Sequence, residues 1–152
     1  LLHELKITKQ VKLTVYGQVN DRSYFKSLIL LAERLNLEED LLFIHDQFDI
    51  PSILNKYDLG ICTSKSESGP LVLIEYLSRG LPFISYKTGE VVRQLVKEQS
   101  SFIIDNFNEK LWVKRIMHIL NDQSFNKEYL INIFNKYYSH KSYYNSLLNI
   151  YK

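Results

Sequence analysis

Ser64-Lys65-Ser66-Glu67-Ser68-Gly69-Pro70-Leu71-Val72-Leu73-Ile74-Glu75-Tyr76-Leu77 decides how this chain is read. An apolar strand, Asp58 to Thr63, runs into it and gives way to a loop of small polar residues. A helix follows that is apolar on nearly every side and carries one carboxylate, Glu75. A helix hydrophobic all round is expected to be buried. A carboxylate on it must then be paired, hydrogen-bonded or neutralised, because desolvating it alone is costly. Glu67 stands just before the helix and Glu75 near its second turn, with seven residues between them. The two acids bracket the helix start, where free backbone N–H groups and the positive end of the dipole favour an anion such as a phosphate. A ligand with hydroxyls at both ends and phosphates between them suits that arrangement, and a nucleotide-sugar is such a ligand.

Outward from this stretch, strands and helices alternate. Leu1 to Lys9 reads as a short helix, and Val11 to Tyr16 alternates as a strand that stops at Gly17. Asp21 or Ser23 caps a helix over 24–35, and 41–45 is a short strand. Pro51 opens a helix to about 56, and 58–63 is the strand before the deciding stretch. After the helix to Ser78, Gly80 fits a C-cap and Pro82 begins a strand over 83–86. A helix over 89–97, a strand over 101–104 and helices over 108–121, 124–137 and 140–151 complete the chain. The alternation predicts an α/β fold: a Rossmann-like, three-layer parallel sheet of about five strands with a helical C-terminal tail, as one domain over 1–152. Open sheets of this kind bind ligands beyond the carboxyl ends of their strands. Gly17, His45, the residues from Ser64 to Leu71 and those from Lys87 to Gly89 all follow such ends and are expected to share one rim.

Bulk properties set bounds. The 152 residues suffice for one domain with a real core, and 45% apolar with 24% charged residues is ordinary for a soluble globular protein. A net charge of +2 with both signs interspersed carries no electrostatic footprint for nucleic acid. Cys62, the single cysteine, cannot build a disulfide framework; it reads as a small buried hydrophobe in a reducing compartment. No apolar run approaches the ~20 residues that span a membrane. No signal peptide is read at the start, and a chain beginning without Met reads as an excised piece.

The spacing Glu67-Ser68-Gly69-Pro70-Leu71-Val72-Leu73-Ile74-Glu75 resembles the E-x7-E element of retaining GT-B glycosyltransferases of the GT4-like, group 1 family. Asp58-Leu59-Gly60-Ile61 and Ser64 before it strengthen the likeness. So does Arg79-Gly80-Leu81-Pro82-Phe83-Ile84-Ser85 after it, which resembles the family's helix-end-then-strand sequence. The resemblance runs from the strand at Val11 to the terminal helices. It implies the C-terminal, donor-binding half of a two-domain enzyme, with a nucleotide-diphosphate sugar as ligand and no metal or other cofactor. In that family the second glutamate binds the ribose hydroxyls, a role that falls on Glu75. The first sits beside the transferred sugar and orients it, which falls on Glu67. Backbone N–H groups of Ser68, Gly69 and Leu71 would hold sugar hydroxyls and phosphate, while Pro70 has none to give. The segment His45-Asp46-Gln47 matches the loop that touches the base, and Gly17 the glycine where backbone comes close to the nucleotide. The sequence Glu67-Ser68-Gly69-Pro70 departs from the commoner Glu-Gly-Phe-Gly, which bears on the sugar held. The family's diphosphate-neutralising Arg and Lys would lie upstream of Leu1, since Lys6 and Lys9 sit on a helix leading away. The acceptor-binding domain would be missing, leaving this chain inert or nearly so. Polysaccharide assembly in the cytoplasm, with the full enzyme peripheral to the inner face of the membrane, is the setting the resemblance implies.

Plainer readings stand beside these. Glu75 could be a structural acid paired to a lysine or arginine, Glu67 a solvated loop residue, His45 a satisfied strand-end histidine and Gly17 a turn glycine. Lys65 reads as a solvated lysine before a phosphate ligand. The tyrosines 137, 138, 143, 144 and 151 read as packing before carbohydrate stacking. His3, His118 and His140 lack ligand-like spacing, so no metal site is expected. Two other functions stay open at this level: a non-catalytic nucleotide-sugar-binding or regulatory module, and half of a GT-B nucleotide-sugar epimerase. A phosphorylase would need a lysine for pyridoxal phosphate, and nothing marks one.

Overall fold

A computed structural model describes residues 1–47, 49–98, 100–122 and 126–150. They belong to two compact units, Leu1–Asp49 and Ile50–Lys152.

In the first unit, α1 (Leu2–Thr8), β1 (Leu13–Tyr16), α2 (Arg22–Arg34) and β2 (Leu41–Ile44) follow one another. The strands pair in parallel, from Leu13 opposite Leu41 to Tyr16 opposite Ile44. Leu2, Ala32 and Leu37 form the core, with Val11, Leu13, Leu35 and Leu41 packed on it. Of the two candidate caps, Asp21 is the one used. Its carboxylate accepts the N–H groups of Ser23 at 2.8 Å and Tyr24 at 3.0 Å. These bonds, Tyr24's foremost, hold its pKa below the ordinary value. The helix therefore starts at Arg22, two residues ahead of the sequence reading. It ends on Asn36, at φ 52°, where the N–H of Leu37 reaches back to the Ala32 carbonyl at 2.9 Å.

The second unit opens with α3 (Ile50–Ile53), which tightens into a 3-10 turn over Leu54–Lys56 in place of one continuous helix. Next come β3 (Gly60–Cys62), α4 (Leu71–Arg79), β4 (Phe83–Tyr86), α5 (Gly89–Glu98) and β5 (Ile103–Ile104), then α6 (Glu109–Asn121), α7 (Lys127–Tyr137) and α8 (His140–Ile150). The three strands lie parallel in the order β3-β4-β5. The central strand runs Phe83-Ile84-Ser85 with no solvent exposure, as befits a strand covered on both faces. Leu73 and Leu77 of α4, Leu95 of α5, Phe102 and Leu130 of α7 are likewise fully buried. The fold is thus α/β with five parallel strands, as expected, in ladders of two and three. The outer strands are shorter than the sequence predicts. The span 58–63 keeps its ladder only over Gly60–Cys62, and 101–104 only over Ile103–Ile104, because Ser100–Phe102 coils into a 3-10 turn. Asn126 caps α7, its side chain accepting the Tyr129 N–H at 2.8 Å. The start of the helix predicted at 124 and the tail tyrosine 151 lie outside the described residues.

Gly80 ends α4 as expected, and does so in a Schellman arrangement. Its N–H bonds the Leu77 carbonyl at 3.1 Å, and that of Leu81 bonds the Tyr76 carbonyl at 2.9 Å. Its φ is +66°, and a Cβ there would fall 2.3 Å from Lys127 Cγ and 2.7 Å from the Lys127 carbonyl oxygen. Backbone handedness and the start of α7 both demand glycine. Gly80→Ala is expected to lower stability by about 1–3 kcal/mol, read from urea denaturation midpoints; an unchanged midpoint would show that neither constraint operates.

Candidate functional site

Where β3 ends at Cys62, the chain leaves the sheet, loops through Ser64 to Gly69 and enters α4 at Leu71. Pro70 occupies the cap position and offers no side-chain hydrogen bond to the first turn. Among the described residues, the N–H groups of Ser68, Gly69 and Leu71 have no partner. Uncapped amides at the positive end of a helix dipole leave a place for an anion. The nine-residue helix is not buried all round. Leu73, Tyr76 and Leu77 face the core, while Leu71 in the first turn is 69% exposed. Tyr76 lies against Gly60 of β3 and Phe83 of β4. Burial first, then the nearby Cys62 and Glu75, push its hydroxyl up to about 12.

Glu75 points from the half-exposed side of α4. Burial raises its pKa above the ordinary carboxylate value. No described residue gives its carboxylate a hydrogen bond or an ion pair. The expected structural lysine or arginine is not there; partial hydration and the raised pKa carry the cost instead.

Glu67 is exposed, and its loop is braced by the turn over Lys87–Gly89, which the sequence placed on the same rim without assigning it a role. The Glu67 N–H donates to the Thr88 hydroxyl at 3.1 Å. The Glu90 N–H donates to the Ser68 carbonyl at 2.9 Å. Gly89 sits at φ +78°, and a Cβ on it would meet Pro70 Cδ at 2.7 Å. The turn from β4 into α5 therefore lies directly against the turn from β3 into α4. Lys65 is exposed, as expected of a solvated lysine, and also lies over an aromatic ring. Its ammonium lies 5.1 Å from the centre of the Phe107 ring, which itself stacks on Tyr86 at 4.4 Å. Thr88, Phe107 and Tyr86 are brought to this place by the parallel sheet, and no local pattern announces them.

Gly17, His45 and Gln47 belong to the first unit. His45 Nδ1 lies 2.8 Å from the Gly17 carbonyl oxygen, which can only accept. Nδ1 is thus a nitrogen that carries a proton and donates it here. Gln18 donates its side-chain amide to the His45 carbonyl. Phe25 meets the imidazole edge-on at 5.4 Å. The Gln47 amide donates to the Asp49 carbonyl at 2.9 Å. Gly17 and Gly69 are alike in one respect: a Cβ at either would meet nothing within 4 Å. The fold itself asks for glycine at neither.

Elsewhere, Lys6 pairs with Asp40. Tyr137 and Lys136 both bond the Glu98 carboxylate, so these residues of the tyrosine-rich tail fasten α7 to α5, while Tyr143 and Tyr144 are exposed. A shallow hollow opens at the start of α6 between Asn106, Asn108, Lys110, Leu111 and Lys114, and no residue of the Glu67 loop lines it. No cluster of three His, Cys, Asp or Glu among the described residues could hold a metal, and no described helix is long and apolar enough to cross a membrane.

Comparison with known proteins places this geometry in context. The family described as "Glycosyl transferases group 1" matches residues 1–135. An uncharacterized glycosyltransferase of Haemophilus influenzae is 26% identical over 111 residues, covering 72% of this chain and 31% of the relative. The N-acetyl-alpha-D-glucosaminyl L-malate synthase of Bacillus anthracis is 23% identical over 109 residues, covering 72% and 29%. Among solved structures, Anabaena Alr3699/HepE in complex with UDP superposes with a TM-score of 0.83 at 19% identity, over 97% of this chain and 42% of the other. The likeness in fold is to a GT-B glycosyltransferase. The chain spans under a third of the length of the curated relatives it matches.

The unpaired state of Glu75 has a measurable consequence. Below its ordinary value of 4.5 the carboxyl is neutral in both folded and unfolded chains. As pH rises through the raised folded pKa, the unfolded chain ionises first, so stability falls across that interval. Glu75→Gln removes this fall. Urea midpoints at about pH 4 and about pH 7 are expected to show the variant gaining on wild type at the higher pH; a difference that stays constant would mean Glu75 is effectively solvated.

Proposed function

Because the chain belongs to the glycosyl transferases group 1 family, we propose that it binds the donor nucleotide-diphosphate sugar of a retaining, metal-independent hexosyltransferase. One observation carries this reading: two acids with no side-chain partner among the described residues bracket a helix start without a side-chain cap, whose nearest amides have no partner among those residues either. On this reading Glu75 receives the ribose hydroxyls as hydrogen-bond donors, and a carboxylate with an elevated pKa gains most from such partners. The amides of Ser68, Gly69 and Leu71 meet the diphosphate and the sugar hydroxyls. When the bond from the sugar to the diphosphate breaks, negative charge grows on the leaving phosphate, and the α4 N-terminus stabilises it without reorganising. Glu67 orients the sugar and is not the nucleophile. The acceptor site and the basic residues that neutralise the diphosphate are assigned to other parts of a two-domain enzyme.

The Anabaena protein was solved with UDP, which makes UDP the first nucleotide to try. Calorimetric titration with UDP, GDP and ADP, then with their sugar conjugates, is expected to show one nucleotide binding equally well with and without EDTA. Glu75→Gln is expected to weaken that binding by about 1–3 kcal/mol, as for a lost charged hydrogen bond. Binding unaffected by the substitution would remove Glu75 from the site, and silence from all three nucleotides in the intact protein would sink the donor reading.

Gly69 offers an independent check, since a methyl group there meets only open space in the folded chain. Gly69→Ala is expected to leave the denaturation midpoint unchanged or slightly raised while weakening the sugar conjugate by about tenfold. Equal affinity in the two proteins would mean that no ligand approaches this backbone.

A further inference from the structure

We propose that Thr88 is a positioning residue for Glu67, and that it makes the site prefer a sugar-bearing nucleotide over the bare nucleotide; this rests on the donor-binding reading above. Most of the holds on the Glu67 loop come from the turn after β4. Among the described residues, its one amide-to-side-chain bond is that from Glu67 to the Thr88 hydroxyl, at 3.1 Å. The neighbouring contacts come from the same turn: the Glu90 N–H on the Ser68 carbonyl at 2.9 Å, and Gly89 against Pro70. The Thr88 N–H is itself bonded to the Tyr86 carbonyl at 2.9 Å, at the end of the buried strand β4. The threonine is therefore tied to the end of a strand buried over Phe83–Ser85, and it passes that anchorage to a loop residue whose side chain is exposed.

Three features separate this bond from ordinary loop packing. Gly89 packs near the Glu67 and Ser68 carbonyl oxygens and Pro70, but among the described residues the Thr88 hydroxyl is the one group that hydrogen-bonds Glu67. A hydroxyl that accepts an N–H retains its own proton to donate. No described protein group accepts that proton. It is thus available to the Glu67 carboxylate or to a sugar oxygen beside it. Finally, the bond is solvent-exposed, so losing it leaves the Glu67 amide hydrated and not orphaned. Its worth to folding is small. Its effect falls on where the Glu67 carboxylate stands, which matters to the sugar and not to the nucleotide.

The test uses the intact protein with Thr88→Val, which keeps the branched shape and deletes the hydroxyl, and Thr88→Ser, which keeps the hydroxyl. Glu75→Gln serves as the control. Titration is made with UDP and with UDP-glucose, or with whichever nucleotide binds and its hexose conjugate. Thr88→Val is expected to leave the bare nucleotide unchanged, to reduce sugar-conjugate affinity by about five- to tenfold, and to leave the melting temperature within about 2 °C. Thr88→Ser is expected to restore affinity to within about twofold. Hydrogen exchange at the Glu67 amide should quicken in the valine variant alone. If Thr88→Val binds the conjugate as wild type does while Glu75→Gln still weakens the nucleotide, the positioning role is overturned and the donor reading survives. If the valine variant weakens nucleotide and conjugate equally, Thr88 supports the loop as a whole and selects nothing. If no nucleotide binds the intact protein, the donor reading fails and takes this inference with it.

Discussion

The burial of β4 on both faces is the constraint on which the second unit depends. Phe83, Ile84 and Ser85 have no exposed surface, and the helices that cover them supply Leu73, Leu77, Leu95 and Leu130, equally hidden. A parallel strand in that position cannot end in a hairpin; it must pass into a helix that crosses back over the sheet. Its neighbour β3 meets the same requirement. Two adjacent strands therefore discharge two turns at the same edge, each leading into a helix start. The contact between the Glu67 loop and the Thr88-Gly89 turn follows from this topology before any ligand is considered.

That contact explains how an exposed loop holds one shape. Loops on a sheet edge have few buried apolar contacts and open readily. Here the loop is held by one hydroxyl, one main-chain bond and one glycine that lets backbone approach backbone. Lys65 adds a fourth hold from the direction of Phe107. Exposed interactions of this kind contribute little to folding stability. Their effect is directional: they restrict where Glu67 and the amides after it can stand.

Glu75 shows the opposite compromise. A carboxylate half-buried without a partner destabilises the empty protein, as its raised pKa records. Its presence makes physical sense where a hydroxyl-bearing ligand completes what the protein leaves unpaired, the arrangement expected when local strain is retained for binding.

The sequence by itself determined the alternation of strands and helices, the α/β class, the helix end at Gly80 and the two acids flanking the α4 start, because each is written in local chemistry. Asp21 caps by its own side chain, Gly80 takes a left-handed backbone, and an apolar run such as Phe83 to Ser85 has no soluble alternative to burial. Local chemistry also set the spacing of Glu67 and Glu75. Only the tertiary structure decided what stands beside them. The lengths of β3 and β5 were fixed by ladder partners far away in sequence, and Ser100–Phe102 left the strand for a 3-10 turn. Leu71 emerged exposed on a helix that looked apolar throughout, since exposure depends on neighbours and not on the helix itself. Thr88 lies 21 residues beyond Glu67 in an unremarkable turn, and Phe107 further still. The alternation of strands and helices put Thr88's turn on the expected rim, but nothing marked the threonine itself or Phe107. They became part of the site because a parallel sheet gathers the ends of successive strands, and a hydrogen bond needs only proximity in space.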